Sequence, residues 1–330
     1  MRIHYRETES GIEIVRCFGT DGKAELPAVI SDIPVTRAAA YAFSARKAQE
    51  DEDVLVCETE DGRLFRQQEH LLAGEAVESV IFPDTMKEIG KYIFYGCRNL
   101  RELTFSDSLT EIGSGAFTGC RALSGLNVRL LSGGRSCVPE ILGDLWQRID
   151  VAFYEAEDGR RSGRTDPAAY LVFPEHYEEA VENTPARILF TQHHGSGNNY
   201  RQCFYGKEID YRKYDDLFSV AKAHDEAGVL SDLIFGRLMY PAGLTEYAEK
   251  MYESYIREHG AKTAAYLTDI GNIRALKEMS RRELWTEKSL DAAADHAASG
   301  AGTTERRSIL SFLMNEKHRL FPVRKGKYEL

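Results

Sequence analysis

"EIGKYIFYGCRNLREL" occupies residues 88–103, and a recognisable copy, "EIGSGAFTGCRALSGL", occupies residues 111–126. Between residues 81–103 and 104–126, 11 of 23 positions are identical. A looser copy upstream, "IPVTRAAAYAF" at residues 33–43, has apolar residues at matching offsets. A fixed period of about 20 to 29 residues is typical of a solenoid, whose units bury their apolar faces against their neighbours. The repeat therefore predicts stacked coils over this part of the chain.

Within one unit, the alternation in "RELTF" predicts a short strand. Leu103 and Phe105 fall on one side of that strand, and Glu102, Thr104 and Ser106 fall on the other. Stacked coils would then form a parallel sheet with an apolar inner face and a polar outer face.

The Gly-Cys pair in each copy raises the question of a reactive thiol. A nucleophilic cysteine needs a nearby base and a lowered pKa, but no histidine recurs at a fixed offset from Cys97 and Cys120. We expect both thiols to be buried and unreactive, and we expect Phe94 and Phe117 to stack inside the coil.

The pattern I-G-x-x-x-F-x-G-C-x-x-L, with a strand before and after it, resembles the BspA-like leucine-rich repeat family over roughly residues 11–129. The resemblance implies a curved right-handed solenoid that contacts a protein or another ligand and is not a catalytic fold. Ala38-Ala39 stands where Ile-Gly is usual. Many relatives are exported surface proteins, whereas "MRIHYRETESGIEIVRCFG" at the start of this chain shows no leader pattern.

Residues 44–76 interrupt the period. They contain "VLVCETEDGRLFRQ", which is typical of a hairpin with Asp61-Gly62 at its turn. The interruption is either a degenerate repeat or an insertion, and the sequence does not distinguish the two.

Beyond Val128 the pattern changes, and we expect an α+β protein with three parts. Residues 1–130 form the solenoid, and residues 131–214 form a β-rich cap that includes hairpins in "VAFYEAEDGRRSGRTDPAAYLVFP" and "ARILFTQHHGSGNNYRQCFYG". Residues 215–330 show helical periodicity and predict a helical domain. Its paired short helices weakly resemble ankyrin-type repeats.

Several residues predict helix ends in this last part. Thr245, Asn272 and Thr303 are suitable N-caps, and Gly260 and Gly300 are suitable C-terminal stops.

The composition limits the classes of partner. The 330-residue chain has a net charge of -10, which disfavours a nucleic-acid partner because phosphate binding depends on clustered Lys and Arg. The aromatic and basic residues of "YRQCFYGKEIDYRKYDD" are nearly balanced by neighbouring acids. No apolar run reaches the length of about 18 residues expected of a membrane helix, and the six cysteines form no C-x-x-C pair. We expect no cofactor and no metal.

"HHGSGNNY" is the most site-like string, and it is the basis of an alternative in which the protein is an enzyme that uses His193, His194 and Asn198. Adjacent histidines on a strand point to opposite faces, so one metal ion would not readily bind both. We expect a plain hairpin turn here.

The sequence predicts a non-enzymatic, cytoplasmic scaffold that binds a protein, and it leaves the partner and the oligomeric state undetermined. A secreted or cell-surface adhesion module is the alternative. The expected contact residues lie on the outer face of the stacked strands, and that face is either open to a partner or covered by the chain's own helices. They are Ser79, Ile81, Glu102, Thr104, Ser106, Asn127 and Arg129, with Gly125 in the same row.

Overall fold

The computed structural model describes residues 1–46, 54–58, 69–155, 166–183, 188–300 and 303–322. The chain divides into two compact units, Met1–Leu217 and Phe218–Leu330. The first is mainly β and the second is helical, so the predicted α+β class is confirmed.

The described strands of the first unit are β1 (Arg2–Thr8), β2 (Gly11–Gly19), β3 (Lys23–Glu25), β4 (Val29–Ile30), β5 (Ile33–Ala38), β6 (Leu55–Glu58), β7 (His70–Leu71), β8 (Ser79–Ile81), β9 (Glu88–Ile89), β10 (Glu102–Ser106), β11 (Glu111–Ile112), β12 (Gly125–Leu130), β13 (Ile149–Glu155), β14 (Ala169–Phe173), β15 (Tyr177–Asn183), β16 (Ile188–His194), β17 (Phe204–Tyr205) and β18 (Glu208–Ile209). Its described helices are α1 (Val138–Gly143), α2 (Gly197–Tyr200) and α3 (Tyr211–Asp216). The second unit contains α4 (Phe218–His224), α5 (Ala227–Met239), α6 (Glu246–Asp269), α7 (Ile273–Arg281), α8 (Glu287–Ser299) and α9 (Thr304–Leu320).

Two sheets form the coils of the first unit. The first, which we call the front sheet, has the order β14-β13-β12-β10-β8-β3, and its neighbours pair in parallel except β13 with β14. The second, the back sheet, has the order β11-β9-β5-β2-β1-β6, with β4 on β5 and β7 on β2. Each repeat contributes one strand to the front sheet and a two-residue strand to the back sheet, which confirms the predicted solenoid.

The register of the back sheet confirms the third, looser copy. Ala38 pairs with Ile89, and Ile89 pairs with Ile112. After each of these positions the chain turns, and the rings of Phe43, Phe94 and Phe117 stack with centroid separations of 5.4 and 5.6 Å. The predicted stack of Phe94 on Phe117 is therefore confirmed and extends one coil further.

Close backbone contact explains the glycine that precedes this turn. A Cβ atom added to Gly113 would lie 2.2 Å from the backbone nitrogen of Lys91 in the preceding coil. Because no side chain fits at that distance, the close stacking of coils requires glycine here.

The interruption at residues 44–76 begins and ends at neighbouring positions of the same coil. Gly74 donates its backbone N–H to the carbonyl of Phe43 at 2.8 Å, and so closes the coil across the interruption. Its described strand β6 pairs antiparallel with β1 at the edge of the back sheet. The described part of this segment therefore follows the pattern of an insertion. The predicted turn at Asp61-Gly62 lies outside the described residues.

The residues after the repeats close the end of the front sheet. β13 extends the sheet in parallel, and β14 adds an antiparallel edge strand. The buried Tyr214 hydroxyl donates to the carbonyl of Val172 at 2.7 Å and accepts its N–H at 2.9 Å. These bonds satisfy backbone groups of the edge strand β14 that would otherwise be free to pair with another chain. The three-part division of the chain stays a prediction.

The helices of the second unit begin at the predicted N-caps, and helical segments end at or beside the predicted glycines. The side chains of Thr245, Asn272 and Thr303 each accept a backbone N–H three residues on, so all three are N-caps, and Gly300 is the C-cap of α8. Gly260 follows directly after a kink at His259, whose φ of -109° and ψ of 15° are not helical, so one helical segment of α6 ends beside the predicted stop and a second one follows it.

A largely buried arginine joins three helices of this unit. Arg282 Nε lies 2.6 Å from Glu278 Oε1, and its Nη1 lies 3.1 Å from Glu253 Oε1. Its Nη2 donates to the carbonyl of Leu238 at 2.9 Å. These bonds connect α5, α6 and α7. The ankyrin-like interpretation of the helices stays a prediction.

Candidate binding surface

The outer face of the front sheet carries the predicted contact residues in cross-strand rows. Thr104 of β10 pairs with Asn127 of β12 on one side and with Ile81 of β8 on the other. Glu102 occupies the neighbouring row, between Ser79 and Gly125. The intervening residues of these strands have their side chains in the core.

The predicted inward parity is confirmed by burial. The inward residues are at most 2% exposed, namely Val80, Phe82, Leu103, Phe105, Leu126, Val128, Val151 and Phe153. Of the outward residues, Glu102 is exposed, whereas Ser79, Ile81, Thr104, Asn127 and Arg129 are half-buried.

The prediction that Ser106 contributes to an open outer face is wrong, because Ser106 is only 1% exposed. Its strand neighbour Arg129 explains this burial. The Arg129 guanidinium donates from Nε to Asp84 Oδ1 at 2.6 Å and from Nη2 to the carbonyl of Phe82 at 2.7 Å. Because these acceptors belong to the coil on the far side of β10, the arginine side chain crosses the end of β10, where Ser106 lies.

The same hydrogen bonds limit how much of the Arg129 guanidinium is available to bind a partner. The guanidinium is 30% exposed and already paired with Asp84, whose side chain is 49% exposed. Exposed ion pairs of this kind contribute about 0 to 1 kcal/mol to stability. A partner with a carboxylate could therefore compete for this arginine at little cost.

The structure adds residues that we did not predict to this face. Lys23 and Glu25 of β3 continue the rows beyond Ser79 and Ile81, and both are exposed. They were missed because the interruption separates β3 from β8 by many more residues than the repeat period.

At the other end of the face, Asp150 continues the row of Gly125, and Tyr170 lies opposite Ala152. The Tyr170 hydroxyl donates to Asp150 Oδ2 at 2.7 Å, and Arg148 Nε donates to Asp150 Oδ1 at 2.8 Å. We call Arg148, Asp150 and Tyr170 the polar cluster. Strand β13 itself was predicted as part of the hairpin in "VAFYEAEDGRRSGRTDPAAYLVFP", but its parallel pairing with β12 was not.

The cysteines that recur in the two repeat copies form hydrogen bonds between coils. The thiol of Cys97 donates to the carbonyl of Phe43 at 3.2 Å, and that of Cys120 donates to the carbonyl of Phe94 at 3.2 Å. Both side chains are buried, as predicted. Burial raises the pKa of Cys97 to about 12 and raises the pKa of Cys120 as well. Raised values disfavour the thiolate, so the unreactivity of both thiols stays a reasonable prediction.

The string "HHGSGNNY" differs from the predicted hairpin. β16 pairs with the preceding strand β15, and the chain then forms the short helix α2 where a second strand was expected. The prediction of a hairpin centred on this string is therefore wrong.

A structural reason for this turn lies in Arg201. Its guanidinium donates to the carbonyls of Leu142, Leu145, Gln147, Pro174 and Gly197 at 2.7 to 3.2 Å. A side chain at Gly197 would lie 2.0 Å from the carbonyl oxygen of Pro174, so glycine is required for the approach. Burial lowers the pKa of Arg201 to about 10, which leaves it charged at neutral pH. The Gly-rich turn thus accommodates a buried arginine that connects its own turn to residues 142–147 and to Pro174.

The two histidines of this string point to opposite faces of the antiparallel strand pair β15 and β16, as expected. His193 lies opposite Glu178, with Nδ1 to Oε1 at 3.3 Å. His194 lies opposite Tyr177 and stacks on its ring at 4.4 Å. Within the described residues, no group of three or more His, Cys, Asp or Glu side chains is arranged to hold a metal ion. The expectation of no metal at this pair stays a prediction.

Comparison with known proteins agrees with the coils described above. Residues 68–132 match the family model for the BspA type leucine rich repeat region (6 copies). This region is similar to BspA-type leucine-rich repeats. It overlaps the stretch of residues 11–129 over which the sequence resembles that family, so the predicted resemblance is confirmed.

Two further comparisons add little to this. The crystal structure of the T. pallidum leucine rich repeat protein TpLRR is 21% identical over 39% of this chain and 72% of that chain, with a TM-score of 0.20, which is too low to support an argument. No curated protein matches the sequence. In the described part of the chain, no helix is long and apolar enough to cross a membrane.

Proposed function

We propose that this protein is a non-enzymatic scaffold that binds a protein partner through the outer face of the front sheet. Leucine-rich repeats commonly mediate protein-protein interaction, and the repeat region supplies this face. The observation that carries the proposal is the in-register row of Ile81, Thr104, Asn127 and Ala152 across parallel strands, in which the side chains of Thr104, Asn127 and Ala152 are short.

The shape and charge of the face suit an extended partner segment. Short side chains in the middle of the face leave room for a bound chain to approach the sheet. Charged groups lie at both ends, with Lys23 and Glu25 on β3 and the polar cluster on β13 and β14. Charges at the rim of an interface favour orientation and rate of association more than affinity.

A secreted or cell-surface adhesion module is the second candidate. BspA-type repeats often occur in surface or secreted proteins, and adhesion would use the same face. Fractionation of the source cell, with the protein detected by an antibody, distinguishes the two locations without changing the assignment of the face.

Comparative capture tests the proposal. Full-length protein, a face variant (Thr104→Arg with Asn127→Glu) and a control variant (Thr118→Arg with Asn99→Glu) serve as baits in source-cell lysate. The control makes the same chemical changes at exposed turn positions outside the front sheet. We expect partners that the parent and the control retain and that the face variant loses. Equal capture by all three baits would contradict the proposed face.

A further inference from the structure

The kink in α6 creates a pocket of about 280 Å³ within the helical unit. It lies where the second half of α6 meets the start of α8, and both His259 and Gly260 line it. A Cβ atom added to Gly260 would lie 3.0 Å from the Cβ of Ser289. The two helices therefore approach closely at this point, and their contact forms one wall of the pocket.

The charge around this pocket is opposite to that of the whole chain. Four basic side chains line it, namely Arg257, His259, Lys262 and Lys288, against one acidic side chain, Glu258. The chain as a whole carries a net charge of -10. A local excess of positive charge in an acidic protein favours an anionic ligand.

Two of these cations have no partner within the described part of the chain. Lys262 and Lys288 are exposed and form no ion pair with a described residue, whereas Arg257 lies 3.4 Å from Glu253. Lys288 is also in the first turn of α8, where the helix dipole disfavours a cation. Neither lysine stabilises the protein through an ion pair with a described residue, and Lys288 slightly destabilises the start of α8. Such positions are expected if both side chains bind a ligand.

The uncharged lining groups are already committed. Thr286 Oγ1 accepts the N–H of Ser289 at 3.1 Å, and Ser289 Oγ accepts the N–H of Thr286 at 3.0 Å. This reciprocal cap holds the start of α8 in place. The recognition of a ligand would therefore come from the lysines and Arg257, which bind anions through charge-assisted hydrogen bonds.

We propose that this pocket binds a phosphoryl group. A volume of about 280 Å³ corresponds to roughly nine water molecules at about 30 Å³ each, enough for a phosphoryl group and part of the molecule that carries it. Two or three cations around one dianion match the arrangement that phosphate groups prefer. This inference is independent of the proposed function of the front sheet.

Isothermal titration of the full-length protein tests the proposal with two probes. Inorganic pyrophosphate represents a free phosphorylated compound, and N-acetyl-O-phosphoserine represents a phosphorylated side chain. The pocket variant is Lys262→Gln with Lys288→Gln. The charge-matched control is Lys250→Gln with Lys277→Gln, which removes two exposed lysines from α6 and α7 of the same unit.

We expect saturable binding of at least one probe to the parent and the control. The pocket variant should bind that probe at least about tenfold more weakly, because each lost cation removes a charge-assisted contact. The tighter probe identifies the source of the phosphoryl group. The absence of saturable binding by the parent up to about 10 mM of either probe, or equal binding by the pocket variant, overturns the proposal.

Discussion

Replacement of Phe94 tests whether the stacked rings stabilise the solenoid as the structure indicates. Phe94 is fully buried and lies between Phe43 and Phe117, at 5.4 and 5.6 Å. Phe94→Ala should lower the free energy of unfolding by about 3 to 5 kcal/mol, because it removes a buried ring and leaves a cavity. Phe94→Leu keeps most of the apolar volume and removes only the ring contacts.

A matched variant isolates the contribution of ring stacking. The Phe94 ring contacts three rings, those of Phe43, Phe82 and Phe117, whereas among the described residues the Phe117 ring contacts that of Phe94 alone. Each aromatic contact contributes about 0.5 to 1.5 kcal/mol beyond the buried area. Because Phe94 has two more ring contacts, Phe94→Leu should cost about 1 to 3 kcal/mol more than Phe117→Leu.

Urea unfolding followed by tryptophan fluorescence measures these differences in the full chain. The sequence has two tryptophans, Trp146 in the first unit and Trp285 in the second. A Trp285→Phe background leaves Trp146 as the reporter of the solenoid, which matters because two units can unfold in separate transitions. A loss below about 1 kcal/mol for Phe94→Ala, or a larger loss for Phe117→Leu than for Phe94→Leu, would refute the reasoning.

Two further predictions concern the cysteines and the buried arginine. Cys97 and Cys120 should react with a bulky thiol reagent far more slowly in the native protein than in urea. With a pKa of about 12, the fraction of Cys97 present as thiolate at pH 8 is on the order of 10⁻⁴, and it rises only as the pH approaches that pKa. Labelling of the native protein at the same rate as the unfolded chain would contradict this prediction. Arg201→Leu should lower the stability of the first unit by about 3 to 5 kcal/mol, because it removes the guanidinium donor of five carbonyls, of which those of Leu142 and Gly197 keep a backbone donor. Arg121→Leu at an exposed position should change the stability by less than about 0.5 kcal/mol. Similar urea midpoints for the two arginine variants would show that the buried network is not needed.

The solenoid was predictable because its repeat is short and its core residues recur. The identity of the Phe94 and Phe117 positions and the alternation around Leu103 both follow from one requirement, that each coil buries its apolar face against the next. The structure obeys that requirement, so the register of strands and the inward parity agree with the sequence.

The residues that sequence analysis missed depend on contacts between distant segments. Alternation alone places Ser106 on the outer face, but the long side chain of Arg129 reaches across it to Asp84. The turn at Gly197 looks like a loop in sequence, because the five carbonyls that Arg201 binds come from segments up to 59 residues away. No local pattern encodes such contacts.

The helical unit gives a similar lesson at Gly260. A glycine after a long helical pattern predicts a stop, since glycine favours helix ends. In the structure one helical segment of α6 ends at the kink beside Gly260, and the small size of this glycine also allows α6 to approach Ser289 of α8. This close packing could not be predicted from the sequence, because it depends on the position of a second helix.

The dissociation constant of an isolated partner, compared between the parent and the face variant, tests the central claim most directly. Thr104 and Asn127 are directly paired across β10 and β12, so Thr104→Arg places its charge opposite that of Asn127→Glu and should keep the stability within about 1 kcal/mol. We predict at least about tenfold weaker binding by this variant, with the turn control equal to the parent. Equal dissociation constants for the parent and the face variant would contradict the assignment of the outer face as the binding surface.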